Sequence, residues 1–149
     1  MSAIDRAAST PLTRWARPLL AAYALVLLVV LFAPTSHVQA SLVNDLVHVL
    51  RLVTPNTWVD FTRAEVVMNA VIIAPISLLG SLVWPRLRWQ DWTAYGFLGA
   101  MVVELSQGLL LPDRQASFSD IVANGTGALL GAVLAHALLG SGTGPEAPR

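Results

Sequence analysis

The chain has 149 residues, of which 55% are hydrophobic and only 12% are charged, about half of the roughly 25% found in ordinary soluble domains. A soluble domain of this length could not bury so much apolar surface, because small domains leave a large share of their surface in water. Nine acidic residues balance nine arginines and lysine is absent, so no basic surface for a nucleic acid is indicated. Cysteine is also absent, and the three histidines match no zinc spacing. We therefore expect one integral membrane domain with no metal and no cofactor.

Four apolar stretches are long enough, or nearly so, to cross a bilayer core of roughly 30 Å as helices. They predict an all-α fold, a four-transmembrane-helix bundle with spans at about 18–33, 63–83, 92–111 and 118–139. Residues 1–17 would precede the bundle, and residues 140–149 would form a disordered Gly/Pro-rich tail. The first stretch has a second interpretation, because two arginines, an apolar run and Val38-Gln39-Ala40 also describe a secretory signal peptide.

The tryptophans and arginines indicate how the spans lie in the membrane. All five tryptophans fall at span ends or in connecting segments, where an amphipathic ring sits at the headgroup level. With the N-terminus inside, the cytoplasmic segments would hold Arg6, Arg14, Arg17, Arg86, Arg88 and Arg149. The opposite segments would hold Arg51, Arg63 and Arg114. The positive-inside bias therefore predicts that both termini are cytoplasmic.

The segment between the first two spans carries an amphipathic pattern. Its apolar residues at helical spacing are Leu42, Leu46, Val49, Leu50 and Val53, with polar residues opposite. We expect an extracytoplasmic amphipathic helix that lies on or dips into the outer interface of the membrane.

Polar residues inside the spans carry most of the functional information, because burying them in a bilayer costs free energy. Glu104 lies about eight residues from the outer end of its span, roughly 12 Å below the interface at 1.5 Å per residue. A charged carboxylate at that depth costs about 3 kcal/mol or more, so we expect Glu104 to be protonated, hydrogen-bonded or paired with a cation. Arg114 could reach either Glu104 or Asp120 from a folded-back loop. Gln107 follows on the same helical face. The pair is either a functional site or a polar clamp between helices.

Helical rise places Asn69, Gln107 and Asn124 at a similar depth, roughly 6–10 Å below the outer interface. Three helices would therefore present amides and carboxylates in one layer that opens outward. The candidate ligand-binding residues are Asn69, Glu104, Gln107, Arg114, Asp120 and Asn124.

Two acidic residues near span starts have a simpler explanation as helix caps. Glu65 would complete a capping box with Thr62, supported by a hydrophobic staple between Phe61 and Val66. Asp120 fits a weaker version of the same motif, in which the capping hydroxyl is three residues earlier.

Small residues and one proline predict close helix packing. Gly127-x-x-x-Gly131 and Gly96-x-x-x-Ala100 have the spacing that lets helix backbones approach. Pro75 lacks an N–H, so it leaves one backbone carbonyl of its helix unbonded and should kink the second span.

These residues resemble the VanZ-like family. Its pattern has an E-L-x-Q pair, an Arg in the following loop, and D-x-x-x-N-x-x-G-x-x-x-G at the start of the last helix. The corresponding segments here are Val103-Glu104-Leu105-Ser106-Gln107, Pro112-Asp113-Arg114 and Asp120 to Gly131 (DIVANGTGALLG). A looser similarity to the family's N-x-x-x-x-x-P-L-G segment begins at Asn69, with Ser77 in place of the glycine.

The resemblance implies a multi-pass protein of the bacterial cell membrane, in a family named for a teicoplanin-resistance protein. It brings no catalytic assignment. The family positions that it carries over are Asn69, Pro75, Glu104, Gln107, Arg114, Asp120, Asn124, Gly127 and Gly131.

Three functional hypotheses follow. The first is a membrane protein whose outer polar layer binds or modifies an envelope amphiphile, such as a lipid-linked cell-wall precursor or a lipoglycopeptide. The second is an intramembrane enzyme with Glu104 as general acid or base and Arg114 holding a phosphate or carboxylate. The third is a structural or assembly protein without a ligand, in which Gly127 and Gly131 join helices, including those of a homo-oligomer. Membrane lipids are partners in all three.

Overall fold

A computed structural model of the protein describes residues 11–32, 37–52, 54, 59–111 and 116–140. These residues form five α-helices and no strand, which confirms the all-α prediction for the described ranges. The helices are α1 (Pro11–Leu31), α2 (His37–Arg51), α3 (Phe61–Val83), α4 (Trp89–Leu110) and α5 (Phe118–Gly140). The predicted tail from residue 141 onward and the position of Arg114 lie outside the described residues.

Three of the described helices are long and apolar enough to cross a membrane, judged by length and composition. They contain the segments Arg14–Leu31, Phe61–Val83 and Phe118–Leu139. At 22 residues α4 is equally long, but Glu104 and Gln107 lower its hydropathy. The chain is therefore a helical protein with three membrane-crossing candidates, and a fourth crossing by α4 stays a prediction.

The closest packing joins α5 to α3. A Cβ atom on Gly127 would collide with the carbonyl oxygen of Ala70, and one on Gly131 would collide with that of Ala74. Both contacts advance in the same chain direction, so the two helices run parallel. Because only glycine leaves room for such an approach, the small-residue spacing fixes α5 against α3 within the same chain.

The fourth helix packs antiparallel on α5. Gly96 meets the Cβ atom of Ala128, and at the other end of α4 a Cβ atom on Gly108 would lie 3.4 Å from that of Ala116. With α3 and α4 against it, α5 is the central helix. Inside the protein, 44% of its membrane-length segment is buried, against 6% for α1.

The first helix lies antiparallel on α3 and is anchored by a polar contact. The Tyr23 hydroxyl donates a hydrogen bond of 2.7 Å to the Ile72 carbonyl oxygen. This carbonyl is adjacent to the one that Pro75 leaves without its helical partner, although α3 continues through the proline. The contact joins α1 to α3, and whether this segment is retained or cleaved stays an open prediction.

The amphipathic helix α2 packs on the first turns of α3. Val43 and Val47 are buried in one cluster with Val59 and Ala64, while Leu42 remains exposed on the other side of the apolar face. Val43 and Val47 were not part of the predicted apolar face, of which Leu46 and Leu50 pack against this cluster and Leu42 and Val49 are exposed. The face that packs on α3 is thus rotated from the predicted one, and Val53 lies outside the described residues. The place of α2 relative to the membrane stays a prediction.

The predicted start of α3 is wrong by two residues. Asp60, rather than Thr62, is the N-cap, and its carboxylate accepts a hydrogen bond of 2.8 Å from the Arg63 N–H. Aspartate is a better N-cap than threonine. Val59 and Ala64, rather than Phe61 and Val66, occupy the positions of the hydrophobic staple and are buried together. The Thr62–Glu65 capping box is therefore not the cap of this helix.

Candidate functional site

Glu104 joins α4 to the beginning of α5. Only 5% of the residue is exposed, and its Oε2 atom accepts a hydrogen bond of 2.8 Å from the Ser117 backbone N–H. Backbone N–H groups at a helix N-terminus have no partner within the helix, and the helix dipole favours a negative group beside them. The buried carboxylate therefore supplies an acceptor that the start of α5 needs. We call the end of the bundle at which α3 and α5 begin the outer end, after the predicted orientation.

Ser117 is the N-cap of α5. Its Oγ atom accepts the Asp120 N–H at 3.4 Å, and its carbonyl oxygen accepts the Ile121 N–H at 3.3 Å. A capping box would direct the Ser117 N–H to the Asp120 carboxylate, but this N–H donates to Glu104. A carboxylate from another helix thus takes the reciprocal position in the cap. Asp120 itself is half-buried.

Gln107 makes the complementary contact to a helix C-terminus. It is also 5% exposed, and its Nε2 atom donates a hydrogen bond of 2.8 Å to the Leu31 carbonyl oxygen. Leu31 ends α1, where carbonyl groups have no partner within the helix. Glu104 thus accepts a hydrogen bond at the start of α5, and Gln107 donates one at the end of α1. Each contact avoids a cost of about 1–3 kcal/mol for an unsatisfied buried polar group.

Two amides have no comparable partner in the described part of the chain. Asn124 is 7% exposed and Asn69 is half-buried, and no hydrogen bond to either side chain is seen among the described residues. Asn124 precedes Gly127 by one helical turn, and Asn69 is adjacent to Ala70, which contacts Gly127. Both amides therefore flank the same α3–α5 contact. The one fully buried side-chain nitrogen or oxygen without a hydrogen-bond partner among the described residues is Trp92 Nε1. The amide atoms of Asn124 therefore keep some exposure and can form hydrogen bonds with a polar group from outside the protein.

The polar residues are staggered along the bundle axis. The pairing of Gly108 with Ala116 and of Gly96 with Ala128 places Gln107 beside the residues that precede α5. The same register places Asn124 beside Ala100 of α4, about seven residues deeper, or about 10 Å at helical rise. The structure thus differs from the common depth predicted for Gln107 and Asn124, because α4 extends past the start of α5. Glu104 lies between the two levels.

The hydrogen-bond partners of Glu104 and Gln107 could not be predicted from the sequence. The groups that bind Glu104 and Gln107 are backbone atoms, and sequence gives no sign of which backbone atom a distant side chain will meet. Tyr23 had a signal, because a phenol hydroxyl inside a span needs a hydrogen-bond partner. Ser77 and Ser81 are also buried, but their hydroxyls donate to carbonyls of their own helix.

The described residues offer no metal site, since no three His, Asp or Glu side chains among them are grouped to hold an ion. The polar cluster therefore consists of a carboxylate, three amides and helix-end backbone groups. Such a set can donate and accept hydrogen bonds.

A family model described as VanZ/LLP1 matches residues 20–139. The chain belongs to the VanZ/LLP1 family. The match covers most of the chain and confirms the resemblance drawn from the E-L-x-Q and D-x-x-x-N segments. It contains all the polar residues described above and the greater part of α1. No curated protein and no solved structure matches this VanZ/LLP1 chain.

Proposed function

We propose that this VanZ/LLP1 protein binds the polar part of an envelope amphiphile at the two amides beside the α3–α5 contact. The amphiphile would be a lipid-linked cell-wall precursor or a lipoglycopeptide such as teicoplanin. The observation that carries the proposal is Asn124, which is 7% exposed and has no hydrogen-bond partner among the described residues. Its amide atoms are not among the fully buried unbonded atoms of the described residues, so they are open to hydrogen bonds with another molecule.

The chemistry of the two asparagines suits such a ligand. A carboxamide both donates and accepts hydrogen bonds, as do the sugar hydroxyls and peptide groups of cell-wall precursors and glycopeptides. The apolar faces of the surrounding helices would meet the acyl chain. Arg114, outside the described residues, would bind a phosphate or carboxylate with its planar guanidinium, and Asp120 at the start of α5 completes the proposed set.

Glu104 and Gln107 support the proposed site by fixing the helices around it. Their hydrogen bonds connect α4 with the start of α5 and the end of α1. This arrangement would hold the outer end of the bundle in place when a ligand enters. In this proposal Glu104 and Gln107 hold the helices in position, and the Asn69 and Asn124 side chains contact the ligand.

The two alternative functions have less support. An acid–base role for Glu104 has less support because its Oε2 atom already accepts a hydrogen bond from the Ser117 N–H, whereas no hydrogen bond to the Asn124 side chain is seen among the described residues. Assembly of copies through Gly127 and Gly131 would require an open face, but α3 of the same chain covers both glycines.

The proposed orientation places the amides towards the outside of a bacterial cell membrane, with both termini in the cytoplasm. The arginine distribution supports this orientation through the positive-inside bias. A ligand delivered from the cell surface would then approach from the outer end of the bundle.

Antibiotic susceptibility tests the lipoglycopeptide version. The full chain is expressed in a glycopeptide-sensitive bacterial host, and the minimum inhibitory concentrations of teicoplanin and vancomycin are measured. We expect the wild type to raise the value for teicoplanin, Asn124→Ala to lose that effect, and Thr126→Ala to retain it. Thr126 is a matched control because it is exposed on the same helix and its hydroxyl bonds to its own helix. Unchanged values for both antibiotics with the wild type would refute a role in resistance.

A further inference from the structure

An open groove lies between α1 and α3 at the end of the bundle opposite Glu104. It has a volume of about 340 Å³ and is lined by Arg17, Leu20, Ala21, Ala24, Val83 and Trp84. We call it the α1–α3 groove. The antiparallel packing brings the early residues of α1 beside the last residues of α3, and the small alanines leave space between the helices.

The walls of the groove are apolar, with a single cation among the lining residues. Trp84 is 51% exposed, and its ring lies 6.0 Å from that of Trp92, measured between centroids. Trp92 in turn packs over Gly80, so the tryptophan wall is supported from behind. An exposed tryptophan at the end of a membrane-length helix is typical of the headgroup region of a bilayer. These walls suit a hydrocarbon chain.

The charge around the groove favours an anionic occupant. The described residues at this end carry four exposed arginines, Arg14, Arg17, Arg86 and Arg88. In the same described ranges the one carboxylate at this end is Asp91, whose Oδ2 atom lies 3.8 Å from Arg88 Nε. Within those ranges Arg17 makes no ion pair. Its guanidinium therefore stands at an apolar groove, and no carboxylate of residues 11–32, 37–52, 54, 59–111 or 116–140 neutralises it.

We propose that the α1–α3 groove binds one anionic phospholipid of the adjacent leaflet. One acyl chain would lie between the alanines of α1 and the tryptophan wall, and the phosphate would bind the Arg17 guanidinium. Arginine binds phosphate oxygens through two parallel N–H donors, and its aliphatic part covers apolar surface while the charge reaches the headgroups. The surplus of arginine distinguishes an anionic lipid from a zwitterionic one. This site is independent of the proposed function at the outer end.

Native mass spectrometry of the purified full chain in mild detergent tests the proposal. The protein is incubated with equal amounts of phosphatidylglycerol and phosphatidylcholine, and the retained lipid molecules are counted. We expect one phosphatidylglycerol to be retained in preference. Arg17→Gln should weaken its retention by about tenfold or more, as for the loss of one hydrogen bond between charged groups. Ala21→Phe should also weaken it by filling the groove, and the exposed position of Ala21 makes the substitution tolerable to the fold.

Two control variants make the result specific. Arg63→Gln removes an exposed arginine at the outer end, and Leu25→Phe adds an exposed ring on α1 outside the groove. Both should retain phosphatidylglycerol as the wild type does. Equal retention of the two lipids by the wild type, an equal loss with Arg63→Gln, or unchanged retention with Ala21→Phe would overturn the proposal. A dimer that disappears with Ala21→Phe while lipid retention is unchanged would show that a second copy occupies the groove, which would also overturn it.

Discussion

Replacing Glu104 by alanine removes the acceptor for the Ser117 backbone N–H, which lies 2.8 Å from Oε2 in the folded protein. The N–H stays partly buried at the start of α5, because the residues around it on α4 remain in place. Leaving a buried donor unsatisfied costs about 1–3 kcal/mol, and the space left by the side chain adds a packing loss. We expect Glu104→Ala to lower the free energy of unfolding by about 2–4 kcal/mol.

Glu104→Gln separates hydrogen bonding from charge. The amide oxygen of glutamine can accept the same N–H, but a neutral hydrogen bond is roughly half as strong as a charge-assisted one. The expected loss is therefore about 1 kcal/mol. Leu105→Ala is the matched control, because the neighbouring leucine is exposed on the surface of α4 and its truncation should change stability little.

Unfolding of the purified variants in detergent, followed by circular dichroism against temperature or denaturant, gives the required order. Stability should fall from the wild type and Leu105→Ala, through Glu104→Gln, to Glu104→Ala. If Glu104→Ala were as stable as Leu105→Ala, the proposed link between α4 and α5 would be refuted. Equal losses for the alanine and glutamine variants would show that an acceptor at this position does not matter.

Further predictions concern packing, an interhelical hydrogen bond and a helix cap, all measured as changes in the same unfolding transition. Gly131→Ala should lower the free energy of unfolding by about 1–3 kcal/mol, because the added Cβ would meet the backbone of α3. Gly99→Ala should not destabilise the protein, since nothing lies within 4 Å of the added Cβ, and equal effects of the two variants would contradict the close approach. Tyr23→Phe should cost about 0.5–1.5 kcal/mol by removing its hydrogen bond to α3, and an unchanged transition would exclude that contact. Asp60→Ala should cost about 1 kcal/mol as a lost N-cap, while Thr62→Ala should have little effect; the reverse order would restore the predicted capping box.

The helices and their membrane character could be predicted from the sequence because both depend on local properties. Runs of apolar residues predicted α1, α3 and α5 as membrane-length helices, and the periodicity of residues 42–53 predicted the amphipathic helix α2. The start of α3 was misplaced because two capping motifs overlap there. Asp60 and Thr62 are both acceptable caps, and packing of Val59 with Ala64 favours the earlier start.

The arrangement of the candidate site could be predicted less completely than the helices. The spacing of Glu104 and Gln107 put them on one face of α4, and their cost in a membrane indicated hydrogen bonds. Their partners are backbone groups of Ser117 and Leu31, which depend on how far the helices overlap. The predicted depths were counted at equal helical rise from each span end, which assumes that the helix ends lie at the same level. The extension of α4 past the start of α5 violates that assumption and separates Gln107 from Asn124 along the axis.

The measurement that tests the proposed binding site most directly is a titration of the purified protein, held in lipid nanodiscs, with teicoplanin and separately with a lipid-linked cell-wall precursor. We expect one of the two compounds to bind, Asn124→Ala to weaken its binding by about tenfold or more, as for the loss of a hydrogen bond, and Thr126→Ala to leave it unchanged. Equal affinity of the wild type and Asn124→Ala, or no binding of either compound, would contradict the proposed binding site.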